Sequence, residues 1–183
     1  MAKFSFLWET NGYNMLVEKI VVTPIDGVRN SGARLAWRDF AGAQYGNQCF
    51  GLIIDDLEFG DQLAAKNWNV KLRPPREEGD PAIYTLPVTI KWRNRDGSPA
   101  RPVPKVGTKS DGRMTMYTEQ TTSTIDGLRL DDITIKIEPY AGWDRNDPEK
   151  KAAHCETFYA TVVIDELDRK WLSEAVQDET LPF

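Results

Sequence analysis

With 183 residues the chain is long enough for one hydrophobic core, and at roughly 150 residues per domain it is expected to form a single domain. Mean hydropathy is -0.50 and no apolar run approaches the roughly eighteen residues of a membrane-spanning helix, so that class is excluded. The net charge of -5 conceals two segments of opposite sign: residues 66–113 carry eleven bases against five acids, a net of +6, and residues 164–183 carry six acids against two bases, a net of -4. A basic body with an acidic end suits a binder of polyanions whose tail resembles its own ligand, although a mixed solvated surface fits the charge count equally well.

The start, Met1-Ala2-Lys3-Phe4-Ser5-Phe6-Leu7-Trp8-Glu9, has one base and too short an apolar stretch for a secretory signal, so a cytosolic location is expected. Strands rich in Val, Ile, Thr and aromatic residues are expected at 15–23, 33–38 and 48–54. Over 55–66 the period changes: Leu57, Leu63 and Ala64, with acids before them and Lys66 after, predict a short capped helix. A strand follows at 69–72. Val88, Ile90 and Trp92 then alternate with Thr89, Lys91 and Arg93, the pattern of a strand with one wet face. Further strands are expected at 103–106, at Ile133, Ile135 and Ile137 alternating with Thr134, Lys136 and Glu138, and at 158–164, with a helical turn inside 119–128. Eight strands imply a barrel or a sandwich, an all-β fold with one or two short helices.

Chemical signatures are missing. Cys49 and Cys155 make no metal-ligand spacing and read as reduced core thiols, and a single histidine, His154, cannot build a histidine-rich zinc site. No Walker loop, dinucleotide fingerprint or nucleophile elbow occurs, so no enzyme activity and no metal or nucleotide cofactor is expected.

What the chain does carry is aromatic rings beside cations. It has six Trp, six Tyr and seven Phe, and Trp37-Arg38, Lys66-Asn67-Trp68, Lys91-Trp92-Arg93 and Trp143-Asp144-Arg145 each join the two types. Flat rings stack on bases and cations neutralise phosphates, the combination that holds single strands without reading their sequence. A tryptophan in a β protein is also a common core residue, so the cluster carries the reading rather than any one member. Two loops rich in Pro, Gly and Arg, 74–81 and 93–102, flank the strand that ends at Trp92 and could follow a nucleic-acid backbone.

Ordered blocks then bring a family into view. Arg38-Asp39-Phe40-Ala41-Gly42, Asn47-Gln48-Cys49-Phe50-Gly51-Leu52-Ile53-Ile54-Asp55, Trp68-Asn69-Val70-Lys71 and Pro75-Arg76-Glu77-Glu78-Gly79-Asp80 are followed by 84–92, 133–140 with Trp143, and Ala160-Thr161-Val162-Val163-Ile164-Asp165-Glu166-Leu167. This series resembles a bacteriophage single-stranded DNA-binding protein family. The resemblance implies an OB-fold, a small Greek-key barrel binding oligonucleotides across one face, over residues 1–172, with an acidic tail at 173–183. It implies a protein that coats and protects single-stranded DNA in phage replication and recombination, with little sequence preference. The first thirty residues match nothing in that series and are read as an added edge strand or a homodimer contact.

On that reading Trp68, Tyr84, Trp92 and Tyr140 are the expected stacking platforms, with Lys71, Arg73, Arg76, Lys91, Arg93, Arg95 and Arg101 on the phosphates. The end of the chain is similar to the acidic, Pro-Phe-terminated tip of bacterial single-stranded DNA-binding proteins. That similarity implies that Asp178, Glu179, Leu181, Pro182 and Phe183 dock replication or recombination partners. Two other classes stay open: a virion structural or assembly module on a β-sandwich, which alternation and an acidic pI serve equally well, and a small enzyme using Asp55 and Asp56. The last is disfavoured because adjacent carboxylates after a strand usually begin a helix.

Overall fold

Ile133, Ile135 and Ile137, alternating with polar neighbours, form the buried side of the long strand β9 (Leu130–Tyr140), as the period predicts. A computed structural model describes residues 1–164, and in it β9 is preceded by β1 (Lys3–Thr10), β2 (Leu16–Thr23), β3 (Arg34–Asp39) and β4 (Cys49–Ile54). Helix α1 (Leu57–Ala65), β5 (Lys71–Arg73), β6 (Ile83–Thr89), β7 (Lys105–Ser110), β8 (Arg113–Met116) and a 3-10 helix (Thr122–Gly127) come next, and β10 (Ala152–Val162) follows β9. All eight expected strands and both helical segments are present. β1 and β8 were not expected, and β6 starts earlier than the alternation around Val88 suggests and ends at Thr89, so Ile90 and Trp92 lie beyond it and Pro87 lies inside it. Pro87 sits where β5 has ended (last pair Lys71 with Thr85) and β10 has not begun (first pair Ala153 with Val88), so its missing N–H interrupts no ladder on that edge.

The strands pair in the order β3-β4-β6-β10-β9, antiparallel except for β6 with β10. No strand ladder joins β3 to β9 among the described residues, but the two ends approach each other where Ala33 N–H, just before β3, donates to Ile133 O of β9 at 2.9 Å. Gly32 permits that approach, since a Cβ there would stand 2.4 Å from Ile133 N. Five strands in this order, with the third and fifth parallel, have the Greek-key arrangement of a partly open OB-fold barrel. β2 pairs with the rest of the same β9 edge through Ile20 and Ile137, and β1 pairs with β2 over its whole length, so the N-terminal region forms an edge hairpin.

Inside the barrel Phe40, Phe50 and Phe158 are fully buried, with ring centres 5.2 to 5.6 Å apart, among Leu52, Ile54, Leu86 and Ile135. Helix α1 begins at Asp56, whose carboxylate accepts from Phe59 N–H at 3.1 Å, while Asp55 pairs with Arg34 at 3.3 Å. Asp56 thus has the helix-start role the sequence argument assigns to the pair, while Asp55 serves in an ion pair instead. The helix lays Phe59 against Phe4 and Phe6 of β1, with ring centres 5.4 and 4.6 Å away. Cys49 and Cys155 are buried and unbridged, and burial pushes the Cys49 thiol up to about 11. Among the described residues no helix is long and apolar enough to cross a membrane.

Candidate nucleic-acid interface

The outer face of the barrel is built around Trp37. Along β3 a bulge falls between Leu35, which pairs with the buried Leu52, and Trp37, which pairs with Gly51. The extra residue, Ala36, breaks the two-residue period, so Leu35 lies on the core side and Trp37 on the outside. Gly51 makes the seat: a Cβ there would come within 2.3 Å of the indole nitrogen. Tyr45, from the loop after β3, tilts against the indole with ring centres 4.8 Å apart.

That loop is held by carboxylates. The buried Asp39 accepts from the N–H groups of Ala43, Gln44 and Tyr45 at 3.0, 3.1 and 2.8 Å, and Asp126 of the 3-10 helix accepts from Phe40 and Ala41 N–H, each at 3.0 Å. Arg38 donates to the carbonyls of Ile125 and Leu128 at the end of the same helix. The Arg38-to-Gly42 block therefore positions Tyr45 instead of contacting a ligand itself.

Beside Trp37 opens a cleft of about 790 Å³, with Ile53 and Ile83 among its lining residues and Arg73, Pro74, Pro75, Arg76 and Asp80 forming a wall. Strand register shows why the basic residues meet there. Lys71 pairs with Thr85 and Arg73 with Ile83, so both face outward with those residues, and Arg73 also donates to Thr85 Oγ1 at 3.4 Å. The 74–81 loop carries Arg76 to the same cleft. Two of the seven predicted phosphate partners, Arg73 and Arg76, thus line a cleft with a tryptophan absent from the predicted platforms, and Lys71 shares the outward face of β5.

A second cleft, about 400 Å³, lies on the same outer surface. The outward row of β6 runs Ile83, Thr85, Pro87 and Thr89. Thr89 pairs with His154, and His154 with Glu138, two residues before Tyr140. Tyr140, 43% exposed, stacks on His154 with ring centres 4.6 Å apart and planes 13° from parallel, and the Lys91 ammonium stands 5.3 Å from its ring. Arg101 and Lys151 also line this cleft. At ~3.3 Å per residue the β6 row bridges the two clefts over about 20 Å.

The structure places three predicted platforms away from these two clefts. Trp68 is 3% exposed, a core residue, because the chain leaving α1 turns inward and Trp68 N–H donates to Leu63 O at 3.0 Å. Tyr84 faces helix α1, opposite to the cleft: its ring covers Gly60 and its hydroxyl donates to Asp61 at 2.5 Å. Trp92 packs against the core and donates from its indole to Gln48 Oε1 at 2.7 Å, with its remaining surface in a separate cleft beside Tyr117. Arg93 is paired with Glu119 at 2.9 Å near that third cleft, and Arg95 is exposed on the 93–102 loop. The two basic loops lie at opposite ends of β6, so they bracket the outer face from its two ends. Asp178, Glu179, Leu181, Pro182 and Phe183 lie outside the described residues.

His154 gives this surface a pH signature. Burial, reinforced by the nearby Lys91 charge, lowers its pKa from about 6.5 to about 4. Above pH 6.5 the imidazole is neutral in folded and unfolded chains alike, and between 6.5 and 4 the unfolded chain takes a proton that the folded one refuses. Stability should therefore fall as pH falls through that window, and His154→Gln should flatten the decline of melting temperature measured across it.

A family model described as "Putative phage ssDNA-binding domain" matches residues 17–181. No curated protein matches the chain. Among solved structures the chain is similar to gp2.5, a single-stranded DNA-binding protein encoded by bacteriophage T7, at 11% identity and a TM-score of 0.35, covering 80% of this chain and 93% of that one. The family match spans all of the barrel and both outer clefts apart from the turn between β1 and β2, and on it the chain belongs to the phage single-stranded DNA-binding domain family.

Proposed function

We propose that the protein coats single-stranded DNA during phage replication and recombination by laying the strand along the outer barrel face, from the Trp37 cleft across β6 to the Tyr140 cleft. The observation that carries this reading is the half-buried Trp37, seated on Gly51 on the outer face, with Arg73 and Arg76 on the wall of the same cleft. Bases stack on Trp37, Tyr45 and Tyr140. Lys71, Arg73 and Arg76 take phosphates at one end, and Lys91, Arg101 and Lys151 at the other, with Arg95 at the margin. Stacking works on every base, so sequence preference is small, and nothing in the site requires catalysis or a cofactor.

Titrating oligo(dT) while following tryptophan fluorescence, beside a duplex of equal length, tests the assignment. Tight binding of the single strand and poor binding of the duplex are expected. The log affinity should fall by roughly 0.7 per phosphate contact for each tenfold rise in salt, so the double change Arg73→Glu and Arg76→Glu should reduce the slope by about 1.4. Equal affinity for duplex would falsify the proposal.

The acidic end supports a further role in the same setting, in the host cytoplasm. Phe183 offers an aromatic ring, Pro182 stiffens the approach, and Asp178 and Glu179 favour a basic pocket on a replication or recombination protein. Deleting residues 178–183 should preserve folding, raise DNA affinity more at low salt than at high salt, and abolish capture of a polymerase, helicase or recombinase. Unchanged DNA affinity together with unchanged capture would remove the tail from the mechanism.

A further inference from the structure

The family match begins at residue 17, so β1 and the turn joining it to β2 lie ahead of the shared pattern. The turn is internally braced. Asn11 Oδ1 accepts from the N–H of Tyr13 at 2.9 Å and of Met15 at 3.0 Å, Asn11 N–H donates to Met15 O at 2.8 Å, and Asn14 takes a left-handed φ of 58°. It is also docked: a Cβ on Gly12 would stand 2.5 Å from the carbonyl oxygen of Arg101, so the tip lies directly on the 93–102 loop. Tyr13 nevertheless remains 60% exposed, and it lines the Tyr140 cleft together with Met15 and Val17. The charged residues around that cleft are three cations, Lys91, Arg101 and Lys151, and one acid, Glu138.

A rigid turn that presents an exposed ring to a cleft already lined by another ring and three cations has the chemistry of a nucleotide site. We propose that the β1–β2 turn is a second DNA-contacting arm, in which Tyr13 stacks on a base of the strand crossing the Tyr140 cleft. This rests on the reading that single-stranded DNA follows the outer barrel face. The cations favour a phosphate-bearing chain as the occupant over an apolar peptide, and the cleft is continuous with the β6 row leading from Trp37.

The test uses the full chain and labelled oligo(dT) of about 6 and about 20 nucleotides, bracketing much of the span covered by one OB-fold. Tyr13→Ala should weaken the long oligonucleotide by about 5- to 150-fold, the loss of one stacked base, and leave the short one, which the Trp37 cleft accommodates alone, unchanged. Tyr13→Phe, which keeps the ring, should bind like the parent protein. Photocrosslinking with 5-iodouracil in the long oligonucleotide should reach Tyr13. Trp37→Ala should weaken both lengths. If it does so while Tyr13→Ala binds the long oligonucleotide normally, the arm is wrong and the outer-face reading stands. If Trp37→Ala affects neither length, the outer-face reading falls and the arm with it.

Discussion

Trp37→Ala is expected to weaken binding of oligo(dT) by about 5- to 150-fold, corresponding to the ~1 to 3 kcal/mol of one stacking platform, while thermal unfolding changes little. The indole lies on the outside of β3, so removing it opens no internal cavity, and the loop that carries Tyr45 keeps its hold on Asp39. Anisotropy of a labelled oligonucleotide is the suitable readout, because the variant loses a fluorophore. Gly51→Ala probes the seat without touching the ring: its Cβ would stand 2.3 Å from the indole nitrogen, so the ring must shift, and a smaller loss of affinity should follow. Unchanged affinity in both variants would move stacking off this cleft.

Trp68→Ala should have the opposite signature, a loss of stability of about 3 to 5 kcal/mol, the range for emptying a large aromatic from a core. Residues 67–69 are joined to Lys151 by two backbone hydrogen bonds, Asn69 N–H to Lys151 O at 2.9 Å and Lys151 N–H to Asn67 O at 2.8 Å, so the ring anchors the junction between α1 and the start of β10. Urea denaturation should show a lower midpoint at similar slope. Trp68→Phe should recover much of the loss, since it restores apolar volume and removes an indole N–H that has no hydrogen-bond partner. A Trp68→Ala protein of normal stability that no longer binds DNA would return this residue to the list of platforms.

These two tryptophans mark where sequence reading succeeds and where it stops. Alternation located the strands because one face of each is buried, and the basic segment 66–113 supplies Lys71 and Arg73 to the outer face of β5 and Arg76 to the cleft beside it. Nearness in sequence misassigned Trp68, since Lys66 and Lys71 flank it along the chain but the end of α1 turns the indole inward. Trp37 was hidden for the converse reason: a period of two, read through Leu35, puts it in the core, and only the bulge at Ala36 reverses that. One clue was available, an isolated glycine, Gly51, inside an otherwise apolar strand, which often marks a close approach. β1 escaped notice because its pattern, Phe4 and Phe6 facing Phe59, depends on a helix more than fifty residues later. β8, four exposed residues, has no buried face to read.

The position of β10 at the end of the barrel also sets the order in which the molecule can form. It pairs with β9, β6 and β7, so none of those strands has its full complement of neighbours until the chain has been made beyond residue 152. Before then a nascent chain holds the β3-β4-β6 meander with an open edge, which is available for wrong pairings. Contacts this far apart in sequence favour folding in milliseconds to seconds instead of microseconds. The register that aligns Thr89 with His154, and with it the path between the two clefts, arises only in that last pairing, so a chain cut short of β10 should form neither the barrel nor a continuous DNA track.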